Sequence, residues 1–160
     1  MQLETKGMSK CIFICGEICS GKDTMIETCY ADYTYWQIDM GSEVRKKYQT
    51  VDRIFDSKLD GYLAGKVTEQ LDKDGSKTYL ITGVRQPTLL KMIAELFDEV
   101  EYNYLVVPRS ILKERHLNRA SDKDANISFE DSIAGDLTLG MAELQTYLLT
   151  EVKCNFIKNY

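Results

Sequence analysis

The stretch Gly16-Glu17-Ile18-Cys19-Ser20-Gly21-Lys22-Asp23-Thr24 constrains this chain more than any other. Its spacing, Gly then four residues then Gly-Lys, is that of a phosphate-binding loop, which requires a strand before it and a helix after it. Both are legible. Cys11-Ile12-Phe13-Ile14-Cys15 is apolar throughout, as befits a central strand of a parallel sheet buried on both faces. Lys22 to about Tyr30 has helical character. Glycines let the backbone curl so that successive N–H groups point inward, and the helix N-terminus adds partial positive charge.

The rest of the chain alternates strand and helix. Tyr33 to Asp39 is rich in aromatics and reads as a strand, and Gly41 opens a helix carrying Val44 to Tyr48. Phe55 to Leu71 is a helix with Leu59, Leu63, Val67 and Leu71 on one face, ended by Lys73-Asp74-Gly75-Ser76. Thr78 to Thr82 is a strand stopped by Gly83. Pro87 suits a helix's first turn, with Leu89, Leu90, Ile93, Leu96 and Phe97 as its buried face. Tyr102 to Val107 is a strand closed by Pro108, and Ser110 is expected to cap a helix running to about Leu117. Arg119 to Asn126 reads as a polar loop. Ser128 and Asp131 form a capping box before Phe129, Ile133, Leu137, Met141, Leu144 and Leu148, with Gly135 and Gly140 as candidate interruptions. Cys154 to Ile157 is the last strand.

This alternation predicts an α/β fold, a three-layer α/β/α sandwich on a five-stranded, mostly parallel sheet. It fits one domain over residues 10–160, after a polar lead-in at 1–9 that contains a second candidate start at Met8. Composition enters mainly to exclude. A net charge of −5 argues against a broad basic surface for nucleic acid. No apolar stretch approaches the roughly 18 residues of a membrane span. The five cysteines contain no C-x-x-C pair, so a zinc site is not indicated and reduced thiols in a cytoplasm are expected. A monomer or homodimer is consistent with all of this.

In such a sheet ligands sit beyond the carboxyl ends of the strands. The loop, Asp39, Thr82 to Arg85 and Pro108-Arg109 all fall there. ATP is therefore expected on Gly16, Glu17, Ile18, Cys19, Ser20, Gly21, Lys22, Asp23 and Thr24, with Lys22 reaching the β- and γ-phosphates. Magnesium is expected on Asp23 and Thr24. Asp23 stands where such loops usually carry Ser or Thr, and it reads equally as a helix-capping residue. The cations Arg109, Lys113, Arg115, His116 and Arg119 cluster late. Arg115 and Arg119 share a face if the helix persists, either as a solvated face or as a lid over the moving phosphoryl group. His116 is expected at the surface. Asp39 can take a proton from a hydroxyl acceptor. If the acceptor is instead a phosphate, Arg45 can clamp it, with Arg85 as a second ligand and Gly41 beside them.

From about Lys10 onward the chain resembles the nucleoside-monophosphate-kinase branch of P-loop NTPases. Ser20-Gly21-Lys22-Asp23-Thr24 is similar to the loop of phage deoxynucleoside monophosphate kinases and to the Gly-Lys-Gly-Thr of adenylate kinases. Ile38-Asp39-Met40-Gly41-Ser42-Glu43-Val44-Arg45 resembles their acceptor segment, and Leu80-Ile81-Thr82-Gly83-Val84-Arg85 the end of their third strand. Lys113-Glu114-Arg115 through Arg119 resembles the lid. Phe129 to Asn159 looks most like a group of small archaeal kinases similar to adenylate and dephospho-coenzyme A kinases. The resemblance implies small acceptor-binding (about 40–73) and lid (about 109–127) insertions. It implies an ATP- and Mg2+-dependent (deoxy)nucleoside monophosphate kinase with Lys22, Arg115 and Arg119 in catalysis and a small nucleotide as partner. Three departures stand out: Thr82 in place of a Walker B Asp, Ser42 in place of a frequent Asp, and the additional Asp39. The last opens a second reading. This is a hydroxyl-directed kinase with Asp39 as base, acting on dephospho-coenzyme A, a nucleoside or a 5-hydroxymethyl base in phage DNA, the only case that calls for nucleic acid. Thr82 motivates a third reading, a nucleotide-binding module without transfer activity.

Overall fold

The structure is a computed structural model that describes residues 9–31, 35–48, 57–74, 77–118 and 127–160. Five strands form one sheet: β1 (Lys10–Gly16), β2 (Tyr35–Asp39), β3 (Thr78–Thr82), β4 (Glu99–Val106) and β5 (Cys154–Lys158). Their order is β2-β3-β1-β4-β5, and every pairing is parallel. The sheet is thus fully, not mostly, parallel. The apolar β1 takes the centre, where a strand with no polar side chain costs least.

Alternate side chains of β1 feed two separate cores, as the period of two requires. Cys11, Phe13 and Cys15 pack with α3 (Ser57–Lys73), α4 (Pro87–Ala94) and α7 (Met141–Thr150) through Leu63, Val67, Leu90, Ile93 and Leu144. Ile12 and Ile14 face the other way, joining Leu80, Leu105 and Ile26 of α1 (Lys22–Cys29). A third cluster lies beyond the carboxyl edge of the sheet. There Ile18 of the loop meets Leu112 of α5 (Arg109–Leu117) and Phe129 and Ile133 of α6 (Phe129–Leu139). The remaining helix, α2 (Met40–Tyr48), follows β2 directly.

Four local expectations change. Strand β4 starts at Glu99, three residues earlier than its hydrophobicity suggests, because its register with β1 begins at Lys10↔Glu99. Helix α4 stops at Ala94, and Phe97 is buried beyond its end against Tyr79. Helix α5 is not capped by Ser110. Pro108 is its N-cap residue, and the Pro108 carbonyl accepts from Ile111 N and Leu112 N at 3.0 and 3.1 Å. The long C-terminal periodicity is two helices broken at Gly140, with Gly135 inside α6, and the turn leaves Leu137 45% exposed. Ser128 does cap α6, its Oγ accepting from Asp131 N at 3.1 Å. The predicted start of β2 at Tyr33, the start of α3 at Phe55, the polar loop at 119–126 and nearly all of the lead-in lie outside the described residues.

Candidate active site

The loop leaves β1 at Gly16 and enters α1 at Lys22. Within it Cys19 and Gly21 both adopt left-handed backbone, with φ of 63° and 91°. Alternating hands of this kind turn successive N–H groups toward one point and make an anion-binding concavity. Glycine is required at position 21 twice over, since a Cβ there would also collide with Asn159 Nδ2. Cys19 holds the same hand without that freedom, a strain of roughly 1–2 kcal/mol for a residue with a Cβ. Lys22 Nζ folds over the concavity, donating to the carbonyls of Gly16 (3.3 Å) and Glu17 (3.1 Å) and to Ser20 Oγ (3.4 Å). Concavity, lysine and helix N-terminus together suit a polyphosphate.

Three distant residues hold this loop, and sequence reading finds one of them. Arg115, on α5, donates from Nη1 to the Cys19 carbonyl at 3.2 Å and from Nη2 to the Asn159 carbonyl at 2.7 Å. The expected lid arginine therefore reaches the loop. Asn159, just past β5, donates from Nδ2 to the Ser20 carbonyl at 2.7 Å. Asp136, on α6 and 1% exposed, accepts the Ile18 N–H at 3.2 Å. Asn159 carries no local signal. Asp136 carries a weak one, as an acidic residue on the apolar stripe of a helix. At the loop's other end, Glu17 accepts from Arg109, whose Nη2 lies 3.1 Å from Glu17 Oε2.

The turn after β2, where an acceptor is expected, is built around Asp39. In register, Asp39 lies beside Thr82 and Thr82 beside Ile14, so Asp39 stands two strands, about 10 Å, from the line of the loop. Its Oδ1 accepts the Gly41 N–H at 3.1 Å. Gly83, with φ of 81°, allows β3 to end against this turn: a Cβ there would fall 2.6 Å from Asp39 Oδ1 and 2.8 Å from Gly41 N. Thr82, at the Walker B position, is 2% exposed and presents no carboxylate.

The other expected residues divide. Asp23 and Thr24 are exposed in the first turn of α1, whose N-cap residue is Gly21, and Asp23 is the acidic residue of that turn. An oxygen-only pair at the mouth of a phosphate loop fits magnesium, which takes one or two protein oxygens together with phosphates. Among the described residues no group of three or more His, Cys, Asp or Glu gathers elsewhere to hold a metal ion. Arg85 is drawn inward, its Nε 2.8 Å from Asp136 Oδ1 and its Nη1 donating to the Gly83 carbonyl at 2.7 Å. Arg45 lies on α2 with its side chain outside the described part, and Arg119 lies outside the described residues. His116 is not at the surface. It is 8% exposed and packs edge-on against Phe129. All five cysteines are free thiols, and burial raises Cys15, immediately before the loop, to about 12 despite the opposing charge of Lys22.

No protein-family model and no curated protein matches the chain. Solved structures do. A sugar kinase from Janibacter sp. HTCC2649 superposes with a TM-score of 0.64 over 94% of this chain and 84% of its own, at 16% identity. A gluconokinase from Sinorhizobium meliloti 1021 does so with a TM-score of 0.58 over 96% and 83%, at 15% identity. The chain has the fold of the P-loop kinases. A chain of the Pnkp1/Rnl/Hen1 RNA repair complex also aligns, with a TM-score of 0.63 at 13% identity, over 89% of this chain and 47% of that one. Among the described residues no helix is long and apolar enough to cross a membrane.

Proposed function

We propose that the chain is an ATP-dependent phosphotransferase acting on a hydroxyl group of a small acceptor. The observation that carries this reading is the placement of the Lys22-covered loop and the Asp39 carboxylate at the same edge of the sheet, two strands apart. Phosphoryl transfer asks chiefly for positioning and charge neutralisation. The loop N–H groups and Lys22 hold the β- and γ-phosphates. Asp39 orients the acceptor hydroxyl and takes its proton as the new O–P bond forms and the bond to the ADP oxygen breaks. Arg115, already at the loop, steadies charge on the moving group. Asp23 and Thr24 are the residues that would hold magnesium, which supplies neutralisation of the phosphate oxygens when bound.

Supporting the hydroxyl class, Arg85, the second candidate ligand for an acceptor phosphate, is paired with the buried Asp136. Two structural neighbours are a sugar kinase and a gluconokinase by description. The second reading, a (deoxy)nucleoside monophosphate kinase, is favoured by the Gly41-to-Arg45 segment, whose arginine would hold the acceptor phosphate.

A radiolabelled-ATP screen separates the readings. The panel is sugars and sugar acids, nucleosides, dephospho-coenzyme A, hydroxymethylated DNA and nucleoside monophosphates. Label on a hydroxyl, lost in Asp39→Asn, supports the first reading. Label on a monophosphate that survives Asp39→Asn supports the second. Tight ATP binding with no acceptor labelled would make the chain a nucleotide-binding module without transfer activity.

A further inference from the structure

Asp136 and Arg85 form a buried ion pair, their side chains 1% and 10% exposed and 2.8 Å apart. The pair lies against the loop, because the second carboxylate oxygen of Asp136 accepts the Ile18 N–H at 3.2 Å. Ile18 is itself buried, at 4% exposure. A carboxylate has therefore been placed under a loop whose ligand is a polyanion. Alone, it would oppose that ligand and would be costly to bury. The arginine is also tied to the turn after β3. Arg85 Nη1 donates to the Gly83 carbonyl at 2.7 Å. The end of α6 abuts the neighbouring Gln86, where a Cβ on Gly140 would lie 3.4 Å from the Gln86 Cβ.

We infer that Arg85 is the counter-ion of Asp136 rather than a ligand for an acceptor phosphate, and that the pair anchors the loop at Ile18, whose N–H is taken up by Asp136, so that the other loop amides are set for the nucleotide. Both are positioning residues. They act through the loop, and the chain of contacts from Ile18 through Asp136 and Arg85 to Gly83 ends beside Asp39, so the nucleotide and acceptor halves share one buried support. Neutrality is the essential property of the pair. Removing the guanidinium leaves the carboxylate without its buried arginine beneath the phosphates, whereas removing both charges does not.

The inference rests on the phosphotransferase reading, and calorimetric titration of ATP separates failure of one from failure of the other. Arg85→Met should weaken ATP binding by about tenfold or more, as expected when one partner of a buried pair is removed. Asp136→Asn, which leaves no carboxylate behind, should weaken it by roughly threefold, the size of one weakened hydrogen bond. The double variant R85M/D136L should return to within about threefold of the parent, because no lone charge remains. Thermal melts by circular dichroism report whether each variant folds. If R85M does not fold, R85Q against R85Q/D136N carries the same comparison with neutral polar side chains at both positions. A double variant as weak as its arginine single variant overturns the inference. So does an R85M protein that binds ATP normally and loses only affinity for the acceptor. A parent chain that does not bind ATP overturns the phosphotransferase reading itself.

Discussion

The phosphate loop and the turn after β2 both stand at the carboxyl end of the sheet, yet they are held by different means. The loop's contacts come from far along the chain: Asp136 is 118 residues from Ile18, Arg115 is 96 from Cys19, and Asn159 is 139 from Ser20. The Asp39 turn is closed by a contact two residues long and by the register of β2 on β3. A loop with two left-handed residues, one of them not glycine, is strained in isolation. Only a completed fold can bring in the arginine, asparagine and aspartate that hold its carbonyls and amides. The Asp39 turn draws its contacts from β2 itself and from the neighbouring end of β3 at Gly83. Nucleotide binding should therefore report on global folding, and acceptor chemistry on local side chains.

Four measurements sharpen or break that contrast. The largest effect is expected from Lys22→Ala, which should cut phosphoryl transfer by about 10³-fold or more while leaving the melting temperature near that of the parent. Retained turnover would remove the loop from the chemistry. Next, Asp39→Asn should lower kcat for a hydroxyl acceptor by about 10²-fold or more with little change in ATP affinity. A parallel loss of ATP binding would show that the two sides are not separable. Third, Asn159→Ala deletes the hydrogen bond to the Ser20 carbonyl. About 1 kcal/mol lost from the bound loop corresponds to roughly fivefold in the KM for ATP, with kcat nearly unchanged. No change in KM would mean that the long-range brace is dispensable.

The smallest effect at neutral pH lies in the sheet beneath the loop. Burial raises Cys15 to about 12 and Cys154 to about 11 from an ordinary 9.0. Burial also raises Tyr104 to about 12 from 10.0. These groups hold their protons to higher pH in the folded state than in the unfolded chain. Their contribution is complete below about 9 and is lost as pH rises through 11 to 12, with a slope approaching about 1.4 kcal/mol per pH unit for the fully buried Cys15 and a smaller one for the half-buried Cys154. Urea melts from pH 8 to 11 should show that decline, and a flat profile would mean the thiols are not sealed by the native sheet.

Much of this molecule is visible in one dimension. The loop is legible because its spacing encodes backbone geometry, and β1 because a strand without polar residues fits only the middle of a parallel sheet. Thr78–Thr82 is recovered to the residue. The misses are of two kinds. Ser110 lost its capping role to Pro108, and His116 was turned inward against Phe129. The first shift is local, two residues along the chain, whereas Phe129 lies on another helix, 13 residues on, and no local pattern advertises it. Arg85 is the sharpest case. Its position after the third strand suggests an acceptor ligand, and nothing near it in sequence announces its ion pair with Asp136, 51 residues on.

Local chemistry sufficed to write the phosphate loop, the alternation of strands and helices and the location of Asp39, because each depends on backbone preference and on patterns a few residues long. Tertiary structure alone chose which arginine reaches the phosphate loop and which is buried in an ion pair. Arg115 reaches the loop while Arg85 is buried against Asp136, and both outcomes follow from how α5 and α6 pack over the end of the sheet. An arginine's reach and its partner are set by folding, since a buried carboxylate must be neutralised by whatever cation the packing brings beside it.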